Sequence, residues 1–353
     1  DVRVINTVLL GSDWYIDQLK QKINDSAPIP MSLSGDKYLS RRRDFVYLIP
    51  KTSDYISLKD AVAFAASDDP KNKKIPGVDF TLDYIPAKNF SLRVDSFNVI
   101  SNGTVSPASA SEMLHEVTFT LDRDYISKTE FIIMDILSQN NWKRPVYFAS
   151  ANSDGILGFQ DYLQLEGSAF RLVPIKTKKS GRFSHGRIES SLLYDNLMHK
   201  FRWGRMNQPH VLIDDYNINT YAVLHTRITF ARLAEQLYME GKKDSAFQVL
   251  NHILELMPAK TFPHDVYSLD LTEVAYKIGA IKQAHQIISE YSQQSFEEIS
   301  FFYAMPIWQF NLTKTENIID QQTIEQLTDM ADKYGDSPIR EELEKKLKEI
   351  TKD

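Results

Sequence analysis

ISKTEFIIMDILSQNNWKRPVYFA, residues Ile126 to Ala149, decides the reading of the N-terminal half of this 353-residue chain. Thr129 to Leu137 is apolar with a helical period, and Asn140-Asn141 supplies residues that tolerate the left-handed conformation in which helices end. Arg144-Pro145-Val146-Tyr147-Phe148-Ala149 then reads as a strand, with Pro145 allowed near its start. Strand, helix and strand in that order predict a βαβ-type unit in a mostly parallel sheet. Working outward, the β-branched run Val2 to Leu10 predicts a buried strand, and Asp13 a helix cap ahead of Trp14, Ile16, Leu19 and Ile23. Phe45 to Ile49, Phe90 to Val94, Glu116 to Leu121 and Phe170 to Ile175 read as extended segments. Leu58 to Ala66, started by Ser57 or Asp54, and Glu189 to Trp203 read as helices. Ser67 to Gly77 and Ser101 to Ser111 are loops by their prolines, glycines and small polar residues.

From about Asn217 strand-like runs cease, so the chain divides into an α/β domain over residues 1–216 and an all-α domain over 217–353. Within the second, Phe230, Leu233, Ala234 and Leu237 share one helix face and Gly241 ends that helix. Ala246, Leu250 and Ile253 line a second helix, and Pro258 closes the pair. The small residues let two antiparallel helices approach and the large ones fill the groove. This order of small and large positions is that of a tetratricopeptide-like helical hairpin. Leu271, Ala275, Gly279, Ala284 and Ile288 give a second, degenerate copy after a few inserted residues. A generic helical bundle is the competing reading. The tail from Ile339 to Asp353 reads as a charged helix with a solvated face.

Hydrophobic residues at 42% and charged residues at 25% suffice for a packed core and exclude wholesale disorder. A net charge of −6 argues against a nucleic-acid-coating role, which needs a basic face, and leaves room only for a local basic patch. With no cysteine, disulfides, thiolate zinc sites and cysteine nucleophiles are excluded. No run approaches the ~18 apolar residues of a membrane span. Because the chain opens on Asp1 at the start of a strand-like run, it reads as a piece of a longer protein.

No constellation of catalytic or metal-binding residues stands out, and no cofactor is implied. His185, His199, His210, His225, His252, His264 and His285 are scattered, without zinc-site spacing. There is no phosphate-binding glycine loop and no nucleophile elbow. The pairs Asp68-Asp69 and Asp214-Asp215 read as loop and capping residues, since adjacent acids point apart. The candidate ligand-binding residues are Trp142, Lys143 and Arg144, at a helix-to-strand corner where ligands of α/β sheets sit. An aromatic ring beside two cations suits a sugar or an anion; the favoured alternative is that Trp142 packs the helix onto the sheet. The run Arg41-Arg42-Arg43 suits anionic headgroups or, more simply, a solvated loop with an ion pair.

The opening Asp1-Val2-Arg3-Val4-Ile5-Asn6, with Asp13-Trp14-Tyr15-Ile16-Asp17-Gln18-Leu19 and Asn24-Asp25-Ser26-Ala27-Pro28-Ile29-Pro30, resembles a family of multi-span membrane proteins typical of Bacteroidota and related to protein O-mannosyltransferases. Asn141 to Ala149, Leu172-Val173-Pro174 and Phe201-Arg202-Trp203-Gly204 are similar to later stretches of that family. The resemblance implies that this chain is the C-terminal part facing the periplasm, on the outer side of the bacterial inner membrane. The membrane half, which would tether it, would then hold the glycosyl-transfer site, so no catalytic residue carries over and this part is not itself an enzyme. Asp25-Ser26-Ala27 and Asp244-Ser245-Ala246 resemble the short acceptor pattern for O-glycosylation in these bacteria, Ser26 being the better candidate. Three functions compete: a module binding a protein or peptide partner, an independent carbohydrate-acting or hydrolytic enzyme in the α/β half, and a scaffold for the membrane half. Oligomeric state, donor and acceptor are not encoded legibly.

Overall fold

In the computed structural model, residues 2–75, 79–151, 156–177, 186–214, 216, 221–312 and 314–351 are described. The chain forms two compact units, Asp1–Gln164 with Ala169–Arg187, and Leu165–Ser168 with Ile188–Asp353. The division precedes the change in composition at Asn217, for a physical reason. The helix Ser190–Asp195 (α5) and the π-turn Asn196–Lys200 bury Leu193 and Leu197 in the core of the helical unit, not of the sheet unit.

The first unit is organised by one helix, Lys128–Asn140 (α4). A capping box starts it: Glu130 N donates to Ser127 Oγ, and Ser127 N donates to Glu130 Oε2 at 2.8 Å. Asn141, with φ 45°, ends it. Phe131, Ile132 and Met134 are buried in the core. Asp135 is buried among them and accepts from Ser32 N, Ser32 Oγ and Leu33 N at 2.9, 2.6 and 3.1 Å, tying the N-terminal segment to the helix. Burial pushes that carboxyl above its ordinary range, against these hydrogen bonds, so the anchor is a partly compensated charge. Helix Leu58–Ala66 (α2) packs on α4 through the face carrying Leu58, Ala61, Val62 and Ala65.

The strands form three small sheets, two of them mixed and packed on α4 and α2, where a single mostly parallel sheet was expected. Strand Phe45–Leu48 (β1) lies between Tyr84–Ile85 (β3), parallel to it, and Tyr125–Ser127 (β6), antiparallel. Asn89–Arg93 (β4) lies between Ile56–Ser57 (β2), parallel, and Glu116–Thr120 (β5), antiparallel. Tyr147–Phe148 (β7) runs antiparallel to Phe170–Leu172 (β9), which also borders Leu163–Leu165 (β8). The strands flanking α4 therefore enter different sheets, so the helix makes no βαβ crossover. Their pairing is set by non-local partners that the order of elements does not specify.

The buried strand expected over Val2 to Leu10 is also absent. Val2, Val4 and Val8 are 85, 79 and 85% exposed, and only Leu10 enters the core. Asn6 is the cause: its Oδ1 accepts from Val8 N and Leu9 N at 3.0 and 3.3 Å, turning the backbone into a 3₁₀ turn at Leu9–Gly11.

The second unit is helical: after α5 come Tyr221–Met239 (α6), Lys243–Leu256 (α7), Val266–Ile278 (α8), Ile281–Tyr303 (α9), Ile307–Leu312 (α10), Lys314–Lys333 (α11) and Ser337–Ile350 (α12). Phe230, Leu233, Ala234 and Leu237 on α6 and Ala246, Leu250 and Ile253 on α7 are buried in one core, with Pro258 half-buried behind them. Leu271, Ala275, Ala284 and Ile288 are buried likewise in the next pair. The pairs α6–α7, α8–α9 and α11–α12 close with the same turn. Gly241, Gly279 and Gly335 have φ of 76, 80 and 74°. The next residue's N–H reaches back to the carbonyls of Leu237, Ala275 and Ala331, at 2.8 Å in each case. This is one glycine-terminated helix end built three times, and a side chain in that left-handed conformation would cost about 1–2 kcal/mol. The third pair shares the device although its last helix is charged, with Leu343 its one fully buried hydrophobic side chain.

Candidate functional site

The corner carrying Trp142, Lys143 and Arg144 is a mechanical joint. Asn141 and Trp142 are both left-handed, with φ of 45 and 58°. Side chains hold this unfavourable pair in place. Asn140 Nδ2 donates to Arg144 O at 2.7 Å, Asn102 Nδ2 to Trp142 O at 2.6 Å, and Asn98 Nδ2 to Asn141 O at 2.9 Å. The indole is buried and donates its Nε1–H to Arg93 O at 2.9 Å. The crevice beside it measures about 10 Å³, room for one water and not for a sugar ring. Trp142 is thus a packing key, the favoured of its two readings, and its ring is not presented as a stacking platform. Lys143 is exposed, whereas Arg144 is half-buried and donates to Ala27 O at 3.3 Å. Its other nitrogen lies 3.5 Å from Ser26 Oγ. Ser26 itself is 6% exposed and offers no hydroxyl to a modifying enzyme in this fold.

The basic run resolves in the same structural direction. Arg41 and Arg42 are exposed, but Arg43 is 3% exposed and turned inward. Asp68 binds Lys37 and Arg43, and Asp69 caps a short turn by accepting from Lys71 N. His185 and Asp215 lie outside the described residues. Among the described residues no cluster of three metal-ligating side chains occurs.

One trio in the helical unit has the composition of a hydrolase triad. His264 Nδ1 lies 2.9 Å from Ser268 Oγ, and its Nε2 lies 3.1 Å from Glu290 Oε2. Burial decides against catalysis: Ser268 is fully buried in the first turn of α8, where its Oγ also accepts from Asp265 N at 3.3 Å. The trio is a staple. With Arg227, which donates to Phe262 O and Pro263 O at 2.6 and 2.7 Å and pairs with Asp265, it pins the residues inserted between the first two hairpins.

This staple and a nearby acid make stability pH-dependent in opposite senses. Burial, aided by Arg227, lowers the His264 pKa from 6.5, so neutral imidazole is preferred and its contribution is lost as pH falls. Burial, then the Glu298 carboxylate, pushes Asp320 on α11 up from 3.8 to about 7. Its contribution is present at low pH and lost as pH rises through about 7. The two senses are separated by substitution: as pH rises from about 5 to about 8, the urea midpoint of the helical transition should fall in the parent chain relative to Asp320→Asn, which lacks the Asp320 titration and keeps that of His264. A midpoint difference independent of pH would refute the assignment.

The remaining candidate is an open apolar groove of about 570 Å³ where α9 passes through Pro306 into α10. Phe301, Trp308 and Leu312 line it and are 63, 62 and 76% exposed; Ile307 beside them is 75% exposed. Ala304 and Met305 form its floor at the end of α9. Isolated exposed apolar residues need no explanation, but four large ones gathered where α9 gives way to α10 form a contiguous exposed apolar patch. Sequence reasoning missed this site. Its signal is the run FFYAMPIWQFNL, residues 301 to 312, which is apolar but for Gln309 and Asn311 and is broken by a proline.

A family model for TMEM260-associated domain 2 matches residues 1–192. The chain belongs to that family. The matched TMEM260-associated domain spans the whole first unit and ends inside α5, so the repeated hairpins and the apolar groove lie beyond it. Comparison with curated proteins and with solved structures gave no match. No described helix is long and apolar enough to cross a membrane.

Proposed function

We propose that this chain is a non-catalytic, periplasm-facing part of a glycosyltransferase-like membrane protein related to the protein O-mannosyltransferases. Its helical unit holds a polypeptide, acceptor or partner, for the membrane half. The three identical hairpin turns support a tetratricopeptide-like stack, an architecture that offers groove surfaces to extended or helical segments. The single observation that carries the reading is the exposed groove at Phe301, Trp308 and Leu312. Membership of the TMEM260-associated family supports the link to glycosyl transfer. An independent enzyme in the first unit draws no support from the corner at Trp142, whose crevice of about 10 Å³ has room for a single water.

The test is made in the full-length membrane protein. Trp308→Ala should leave protein level unchanged and reduce modification of acceptor proteins, measured by glycan-specific blotting, about tenfold, as loss of an aromatic anchor does. Normal modification would sink the binding role. A fall in protein level with normal modification per molecule would favour the scaffold instead.

A further inference from the structure

Between Lys282 and Lys314, the sequence that carries the groove is one-sided in charge. From Gln283 to Thr313, the sequence contains no lysine or arginine, in a chain with 41 of them among 353 residues. The acids in the same stretch are Glu290, Glu297 and Glu298. Glu290 is engaged with His264. Glu297 and Glu298 are exposed on α9, one helical turn before Phe301, on the side from which Phe301 projects; Glu298 is also hydrogen-bonded to Asp320 on α11, so Glu297 is the rim carboxylate without an acidic partner. Glu297 is in contact with Gln293, whose Nε2 donates to it at 3.0 Å, and no described basic side chain pairs with it in an ion pair. Lys346 lies near this helix, 4.7 Å from the ring of Phe296, which is buried five residues earlier and faces away from Phe301.

An apolar groove with an acidic rim discriminates between occupants. A membrane bearing anionic headgroups needs lysine or arginine around the apolar anchors, and this surface presents carboxylates. A second copy of the same face would bring acid against acid. A segment that carries both apolar anchors and cations matches the surface on both counts. Resting on the binding reading above, we propose that the occupant is a short amphipathic peptide segment of apolar and basic residues. Its apolar side chains lie against Phe301, Trp308 and Leu312, and a lysine or arginine meets Glu297 at the rim.

The probes are two synthetic helical peptides of about fourteen residues, one of leucine and lysine and one of leucine and glutamate at the same positions, titrated against the full chain at moderate salt. The leucine–lysine peptide should bind at least tenfold more tightly. Trp308→Ala should remove that binding, which places it at the groove and not on the general surface of an acidic protein. Glu297→Lys should weaken it several-fold while the circular dichroism melt stays unchanged, and Glu297→Gln should fall between. Equal binding of both peptides would overturn the charge assignment and leave the groove's binding role intact. Binding of neither peptide, or binding indifferent to Trp308→Ala, would overturn this proposal; the glycosylation assay then decides the parent reading separately. Binding to phosphatidylglycerol vesicles but not to peptide, or self-association abolished by Trp308→Ala, would equally refute it in favour of a membrane or a second copy.

Discussion

Arg43→Ala should destabilise the first unit by about 3–5 kcal/mol, the range seen when one partner of a buried charged network is removed. The reason is the number of groups left behind. The Arg43 guanidinium donates to Ala65 O at 2.8 Å, Lys37 O at 2.8 Å and Ala66 O at 3.0 Å, and pairs with Asp68 at 2.8 Å. The carbonyls of Ala65 and Ala66 belong to the last turn of α2, which has no helical partners for them. Arg43 therefore serves as a side-chain cap for α2 as well as a bridge to the segment around Lys37. Truncation strands these acceptors in a dry site, each costing about 1–3 kcal/mol less whatever water recovers. Lysine should not rescue the loss, because a single ammonium cannot reproduce a planar fork reaching four oxygens. The measurement is urea unfolding followed by the fluorescence of buried Trp142, comparing Arg43→Ala, Arg43→Lys and the parent chain. A loss below about 1 kcal/mol would mean that solvent replaces the guanidinium and that the clamp is incidental.

Arg43 also illustrates where sequence reading stops. Three arginines in a row look like a solvated surface, and nothing local distinguishes the one that folds inward. Elements fixed by local periodicity were legible. Helix Leu58–Ala66 was read to the residue, because Leu58, Ala61, Val62 and Ala65 recur on one face. The end of α4 followed from Asn140-Asn141, and the first hairpin from the order of Ala234, Gly241 and Ala246. Strand direction was not legible, because strands of two to five residues acquire partners from distant parts of the chain. Val2 to Leu10 misled because β-branched propensity is a weak preference, and the Asn6 side chain outcompetes it by giving the backbone other hydrogen bonds. The third hairpin had a usable signature, Gly335 followed by Pro338 at the next helix start, hidden by the charge of the helix after it. The groove was hidden for a different reason: an apolar run left on the surface has the same composition as one destined for the core, and only its exposure tells them apart.

Phe230→Ala is expected to remove about 3–5 kcal/mol from the helical unit. Phe230 is fully buried, and its ring lies 5.6 Å from Trp203 and 5.8 Å from His252, centroid to centroid. Trp203 is itself tied to the π-turn, its Nε1 donating to Leu197 O at 3.0 Å. One ring thus joins α6, α7 and the segment that follows α5, and Trp203 is held by its own hydrogen bond and cannot collapse into the space it leaves. A cavity that does not relax places the cost at the high end of the range, whereas Phe230→Leu, which keeps most of the volume, should cost less than half as much. Because the groove at Trp308 is formed by α9 and α10, which Phe230 does not line, peptide binding by Phe230→Ala should be preserved at low temperature and lost together with the helical circular dichroism on warming. A small effect of Phe230→Ala, under about 1.5 kcal/mol, would show that the first hairpin is loosely packed. A weak first hairpin would then have to be stabilised by its neighbours or by a partner.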